Sequence, residues 1–139
     1  MTLNGQAPES IAQAVQALAA GQLIGLPTET VYGLAADATN ASAVAQIFTR
    51  KGRPSTHPLI VHVASSADVP RFAQAVPVFA QQLIDAFWPG PLTLILPRLA
   101  GVADVAAGGH ASIGLRCPSH PVAHALLVAA QQAGIGGLA

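Results

Sequence analysis

The residues best suited to chemistry fall in four short groups. The densest is Pro27-Thr28-Glu29-Thr30-Val31-Tyr32-Gly33-Leu34, where Thr28, Glu29, Thr30 and Tyr32 place four polar side chains within five positions. It follows a short apolar run, Leu23 to Leu26, bounded by Gly21 and Pro27. That run is too short for a helix and reads as a buried strand. Open α/β sheets build their sites just beyond the carboxyl ends of strands, so a strand opening into hydroxyls and a carboxylate suits ligand binding. Local chemistry leaves a plainer reading open, an ordinary Pro-Thr turn with a satisfied buried tyrosine. Glu29 can assist a metal or simply orient the turn.

The cations make the second group. The chain has six Arg and Lys residues, and Arg50, Lys51 and Arg53 fall within four positions. Lys51 is its single lysine. Scarce cations gathered in one place suggest an anion site, although a basic last turn of a helix gives the same pattern. His62 lies inside the apolar run Leu59 to Val63, and Thr93 inside Leu92 to Leu96. Arg116 ends the alternating segment Ser112 to Arg116. Each has a structural alternative: a core histidine, a strand threonine, a surface charge. No dedicated metal site is expected, because His120 and His124 are four apart with no Cys, Asp or Glu beside them.

The remaining composition sets bounds. A length of 139 residues suits a single domain, residues 1–139, with a real core. Apolar residues make up 52% and charged residues 9%, against about 25% charged in a typical domain. Some of so weakly charged a surface is available to partners. Net charge is zero, which gives no general attraction to nucleic acid or membrane. Cys117 is the one cysteine, so an internal disulfide is excluded and a reducing, cytoplasmic setting is expected. The first residues carry neither a basic nor an apolar signal region, and no apolar run reaches a membrane span.

Elements that could position these groups follow from periodicity. Residues 8 to 20 predict a helix, with Ile11, Val15 and Leu18 on one face and Gly21 as its stop. Asn40 caps a second helix that ends at Lys51-Gly52. Arg53 to Pro58, with two prolines, predicts a partly rigid loop. Leu59 to Val63 predicts a strand. Ser65 to Asp68 reads as a capping box opening a third helix. Pro77 fits the first turn of a fourth, with Phe79, Leu83, Ile84 and Phe87 on one face. Trp88-Pro89-Gly90-Pro91 breaks it, and strands follow at 92 to 96 and 112 to 116, separated by a loop from Gly101 to His110. Pro121 opens a last helix that Gly134 ends. Alternating helices and strands imply an α/β fold with a twisted, mixed sheet and flanking helices.

In order and spacing, four motifs resemble the YrdC-like family of threonylcarbamoyl-adenylate synthases. They are Pro27-Thr28-Glu29-Thr30-Val31-Tyr32-Gly33-Leu34; Lys51-Gly52-Arg53-Pro54 with Pro58-Leu59-Ile60-Val61-His62; Trp88-Pro89-Gly90-Pro91-Leu92-Thr93; and Gly114-Leu115-Arg116-Cys117-Pro118. The resemblance covers the chain from about residue 10 onward. It implies a YrdC/RibB-like fold with a concave positive cavity. It implies an enzyme, a nucleotidyltransferase that joins L-threonine, bicarbonate and ATP into threonylcarbamoyl-AMP and releases pyrophosphate. Mg2+ would accompany the ATP phosphates. A partner threonylcarbamoyl-transferase would then modify an adenosine beside the anticodon of certain tRNAs.

By the same resemblance, Lys51 and Arg53 match the catalytic Lys-x-Arg pair, which holds the phosphates and the carboxylate. In an extended loop both would point the same way. Thr28, Tyr32, His62 and Arg116 match substrate-binding positions, and Thr93 reaches the nucleotide. Family members run on into a Pro-x-Ser-x-Asn stretch that binds ATP, and no Ser-x-Asn occurs here. The expectation is a chain lacking part of the nucleotide site, with Gly134 to Ala139 entering the sheet at the cavity's edge and some apolar surface uncovered. The alternative is a non-catalytic paralogue or fragment that binds nucleotide, tRNA or double-stranded RNA. A piece of a larger carbamoyl-transfer enzyme of hydrogenase maturation is a further one.

Overall fold

A computed structural model of the chain describes residues 8–27, 32–52 and 58–139. The elements run α1 (Pro8–Ala19), β1 (Ile24–Pro27), β2 (Tyr32–Ala35), α2 (Ala41–Lys51), β3 (Ile60–His62), a 3₁₀ helix (Ser66–Arg71), α3 (Val78–Phe87), β4 (Thr93–Pro97), β5 (Ser112–Arg116) and α4 (Pro121–Gln132). Their boundaries follow local chemistry. At α2, the Asn40 side chain accepts a hydrogen bond from Ala43 N at 3.0 Å. At its other end Gly52 adopts φ 65° and returns its N–H to Phe48 and Thr49. At α4, Pro121 occupies the first turn, and His120 Nδ1 accepts from Val122 N at 3.2 Å.

The strands form two sheets. β1 and β2 pair antiparallel as a hairpin, with Pro27 opposite Tyr32. In the other sheet β5 is central, parallel to β3 and antiparallel to β4. The end of the chain joins them. Leu138 bridges His62 on one side and Asp37 on the other, antiparallel to both. Its N–H and C=O bond His62 at 2.9 and 2.7 Å, while Ala36 and Ala38 bond Ala139 and Gly137. The expectation that residues 134–139 enter the sheet therefore holds at the level of this bridge. Gly137 makes the approach possible. A Cβ there would lie 2.8 Å from Val61 Cγ1 and 2.9 Å from Phe72 Cζ, closer than packed carbons tolerate.

Two cores result. On one face of the three-stranded sheet, Val61, Leu94, Leu96, Ile113 and Leu115 pack with Val44, Ile47 and Phe48 of α2, Ala80 and Ile84 of α3, and Phe72. A second core joins α1 and α4, with Leu18, Leu126 and Leu127 packed around Leu138, Ala35 and Ala64. Between β4 and β5, Arg98 organises the connecting segment. It donates to the carbonyls of His110 and Val102 at 2.8 and 3.0 Å and pairs with Asp104.

Four sequence expectations change. Tyr32 to Ala35, read from the sequence as the end of a polar turn, is a strand paired with β1. The helix at Ser65 is a short 3₁₀ helix that contains Pro70 and ends within six residues. Ser65 does accept a hydrogen bond, from Ala67 N at 3.3 Å. Asp68 closes no capping box; its buried carboxylate takes two hydrogen bonds from Gln131 of α4 and an ion pair with Arg71. Pro77 is the N-cap of α3, one residue earlier than expected. On α3, Ala80 and Ile84 face the core, whereas Phe79 and Phe87 are exposed.

Candidate functional site

Burial alternates along the strands of the three-stranded sheet. Leu94, Leu96, Ile113, Leu115 and Val61 are buried on one side. The intervening residues point the other way: Thr93, Ile95 and Pro97 on β4, Ser112, Gly114 and Arg116 on β5, and Ile60 and His62 on β3. Register places Thr93 opposite Arg116, and Arg116 opposite His62. Three candidate residues from separate parts of the sequence thus form one row across three strands, on one face. The row lies at the carboxyl ends of the parallel strands β3 and β5, where α/β sheets hold ligands.

Arg116 anchors this row. It is 8% exposed, and a guanidinium so buried needs hydrogen-bond acceptors. One is the Gly90 carbonyl, which accepts from Nε at 3.3 Å. Gly90 N in turn donates to Cys117 O at 2.8 Å. Trp88 Nε1 donates to Leu92 O at 2.9 Å, across a turn whose Trp88–Pro89 peptide is cis. The Trp88-Pro89-Gly90-Pro91 motif is therefore the brace of Arg116. The Gly90 carbonyl fixes the stem of the side chain through Nε. His62 is fixed differently, through its own backbone: both its N–H and its C=O are taken by Leu138.

The structure does not bring Lys51 into the row. It is exposed in the last turn of α2, next to Arg50, where both cations complement the helix dipole. Thr28, Glu29, Thr30 and Arg53 lie outside the described residues. Tyr32 opens β2 directly opposite Pro27. Among the described residues, no group of three His, Cys, Asp or Glu could hold a metal ion. No helix among them is long and apolar enough to cross a membrane. Ile60, Gly114 and Ile95 share the face of the row; the sequence motifs contain Ile60 and Gly114 but give them no position beside it. The signal available was a glycine at an outward position of an otherwise regular strand.

A family model for Sua5, YciO and YrdC, described as telomere recombination, matches residues 16–136. The chain belongs to the Sua5/YciO/YrdC family. Two curated members are similar along most of the chain. A threonylcarbamoyl-AMP synthase of Pyrococcus abyssi is 44% identical over 123 residues, which is 84% of this chain and 36% of that protein. One from Bacillus subtilis is 41% identical over 134 residues, 91% of this chain and 39% of that protein. The chain thus spans well under half the length of these relatives. The crystal structure of P. abyssi Sua5 complexed with L-threonine superposes with a TM-score of 0.88 at 37% identity, covering 99% of this chain and 38% of that one. The mixed α/β architecture expected from the sequence is that of the Sua5/YciO/YrdC family.

Proposed function

We propose that this chain forms the substrate-binding part of an L-threonylcarbamoyladenylate synthase. Such an enzyme makes threonylcarbamoyl-AMP and pyrophosphate from L-threonine, bicarbonate and ATP. The observation that carries the reading is the row Thr93–Arg116–His62, which gathers a hydroxyl, a buried guanidinium and an imidazole at the strand ends. Relatives that carry this activity in their names, and the L-threonine complex of one, support it.

The chemistry asks for positioning and charge control. The threonine amine adds to bicarbonate with loss of water, or to carbon dioxide with loss of a proton, and gives a carbamate. A carbamate oxygen then attacks the α-phosphorus, and pyrophosphate leaves. Two anions must meet, so cations that hold both are the main protein contribution. In this reading Arg116 grips the carboxylate with its fork. Thr28, Tyr32 and His62 read the amine and hydroxyl of threonine. Lys51 and Arg53 hold the phosphates in a concave positive cavity, and Thr93 reaches the nucleotide. The described residues supply no metal cage, so Mg2+ would arrive on the triphosphate and be held mainly by its oxygens. The product would pass to a threonylcarbamoyl-transferase acting on tRNA in the cytoplasm.

The test is pyrophosphate release from ATP, measured with and without L-threonine and bicarbonate, together with calorimetric binding of each ligand. Arg116→Lys removes the fork but keeps the charge. It is expected to weaken L-threonine binding by about tenfold, since the two cations are not equivalent at a bidentate site. Unchanged threonine affinity in that variant would remove Arg116 from the site. Ligand binding without pyrophosphate release would assign the chain to the non-catalytic alternative.

A further inference from the structure

Two glycines precede Leu138, and each makes room for a different contact. Gly137 lets the chain pass Val61 and Phe72. Gly136 is not among the glycines with positive φ, so its backbone does not call for glycine. A Cβ there would fall 2.7 Å from Arg71 Cδ and 2.9 Å from Arg71 Nη1. The Arg71 side chain therefore lies across the Gly136 backbone, in the space a methyl group would take. Arg71 and Phe72, neighbours at the end of the 3₁₀ helix, press on two neighbouring residues of this segment.

Arg71 is held in that place. Its side chain is half exposed, but its Nε lies 3.4 Å from Asp68 Oδ1. Asp68 is 1% exposed, and so buried a carboxylate needs partners. Gln131 provides them, donating from Nε2 to Oδ1 and Oδ2 at 3.0 and 2.9 Å. An ion pair between two mobile surface chains contributes little. Here one partner is buried and already fixed by α4, the helix that leads into residues 134–139. The flat guanidinium suits the task, because it can lie over a peptide while its edge meets a carboxylate.

We infer that Arg71 is a positioning residue for His62. It clamps Gly136, and the clamp sets the place of Leu138, which takes both the N–H and the C=O of His62. The backbone from which the imidazole projects is thereby fixed from outside the strands that carry the row. Asp68 and Gln131 hold the clamp, and Arg71 itself acts only through the segment. The inference rests on the reading of the Thr93–Arg116–His62 row as the threonine site and adds to it a residue beyond that row.

The test compares the wild-type chain with Arg71→Ala, Arg71→Lys and Ile84→Val. Ile84→Val trims the buried α3 core and controls for a general loss of stability, which thermal melts record. Three quantities are read: amide exchange at His62 and Leu138 relative to the amides paired between β4 and β5, the histidine ring-proton signals, and calorimetric affinity for L-threonine. Arg71→Ala is expected to speed exchange at His62 and Leu138 by about tenfold relative to β4 and β5, as local opening of the segment does. It should shift the ring signal of His62 more than that of any other histidine and weaken L-threonine binding by about fivefold. Arg71→Lys keeps the stem and the charge and should stay within about twofold of wild type. Ile84→Val should leave the exchange ratio and the His62 signal in place. Unchanged exchange at His62 and Leu138 in Arg71→Ala would overturn the clamp. Faster exchange with wild-type threonine affinity would overturn its connection to the site. A wild-type chain with no affinity for L-threonine would overturn the reading of the row, and the role of Arg71 in binding with it, before any variant is compared. Should Arg71→Ala fail to fold, Arg71→Gln, which keeps a donor for Asp68, decides in its place.

Discussion

The two faces of the three-stranded sheet are made from the same strands and by alternate residues, yet they obey different rules. One face is Val61, Leu94, Leu96, Ile113 and Leu115, none more than 7% exposed. The other carries Ile60, His62, Thr93, Ile95, Gly114 and Arg116, and mixes exposed apolar groups, a missing side chain and a buried cation. On the first face each residue is accounted for by packing. On the second, Ile60 and Ile95 stay exposed, and Arg116 incurs a desolvation cost that a core would avoid. The packed core and the candidate site are separated here by one residue of register.

Substitutions can break that separation or sharpen it. The largest expected effect is on the buried face. Leu115→Ala removes a fully buried side chain at the sheet's centre and should cost about 2–5 kcal/mol, measured by urea denaturation. A loss under about 1 kcal/mol would show that the packed face is not what holds the sheet.

Next comes the place where the end of the chain meets that face. Gly137→Ala would drive a methyl into Val61 and Phe72, and overpacking of this kind costs about 1–3 kcal/mol. Amide exchange should show weaker protection of His62 and Leu138, whose mutual hydrogen bonds depend on the approach. Unaltered protection at both would separate the glycine from the pairing. The smallest effect is on the open face. Ile95→Ser changes an exposed residue and should move stability by no more than about 0.5 kcal/mol. A loss above about 2 kcal/mol would mean that Ile95 is a structural residue after all.

Much of the fold was legible because its signals are local. The Asn40 cap, the Gly52 stop and the first-turn Pro121 all act within one turn of their own helix, and all three are found as read. Signals that failed were local ones overruled by distant partners. Asp68 has the spacing of a capping box, but Gln131, far along the chain, captures its carboxylate. Phe79 and Phe87 were expected on one apolar face of α3 with Leu83 and Ile84, yet Ile84 is buried with Ala80 and Leu83 packs partly against the core, while both phenylalanines stay exposed. Strand β2 was hidden because its four residues include Gly33 and Ala35, weak strand formers whose partner is the hairpin's other arm.

The candidate site divides in the same way. Residue types and family resemblance singled out His62, Thr93 and Arg116, but not their alignment. Cross-strand register is decided by pairing between distant segments, and a shift of one residue would have turned each side chain to the opposite face. Gly114 was visible as a letter in a motif. Its neighbours Ile60 and Ile95 are brought beside it only by register.

The Leu138 bridge has a consequence for how the molecule comes into being. Among the described residues, the hairpin of β1 and β2 and the parallel pair of β3 and β5 are bridged through Leu138, which meets Asp37 and His62, residues far earlier in the chain. Loop closure over such a distance is entropically costly and slow, so the seam belongs among the last contacts to form. In pulse-labelled refolding, the amides of Ala36 and Ala139 should gain protection after those within β4 and β5. Until then, the histidine of the candidate site lies on an open strand edge, and the growing chain has its core before it has its site.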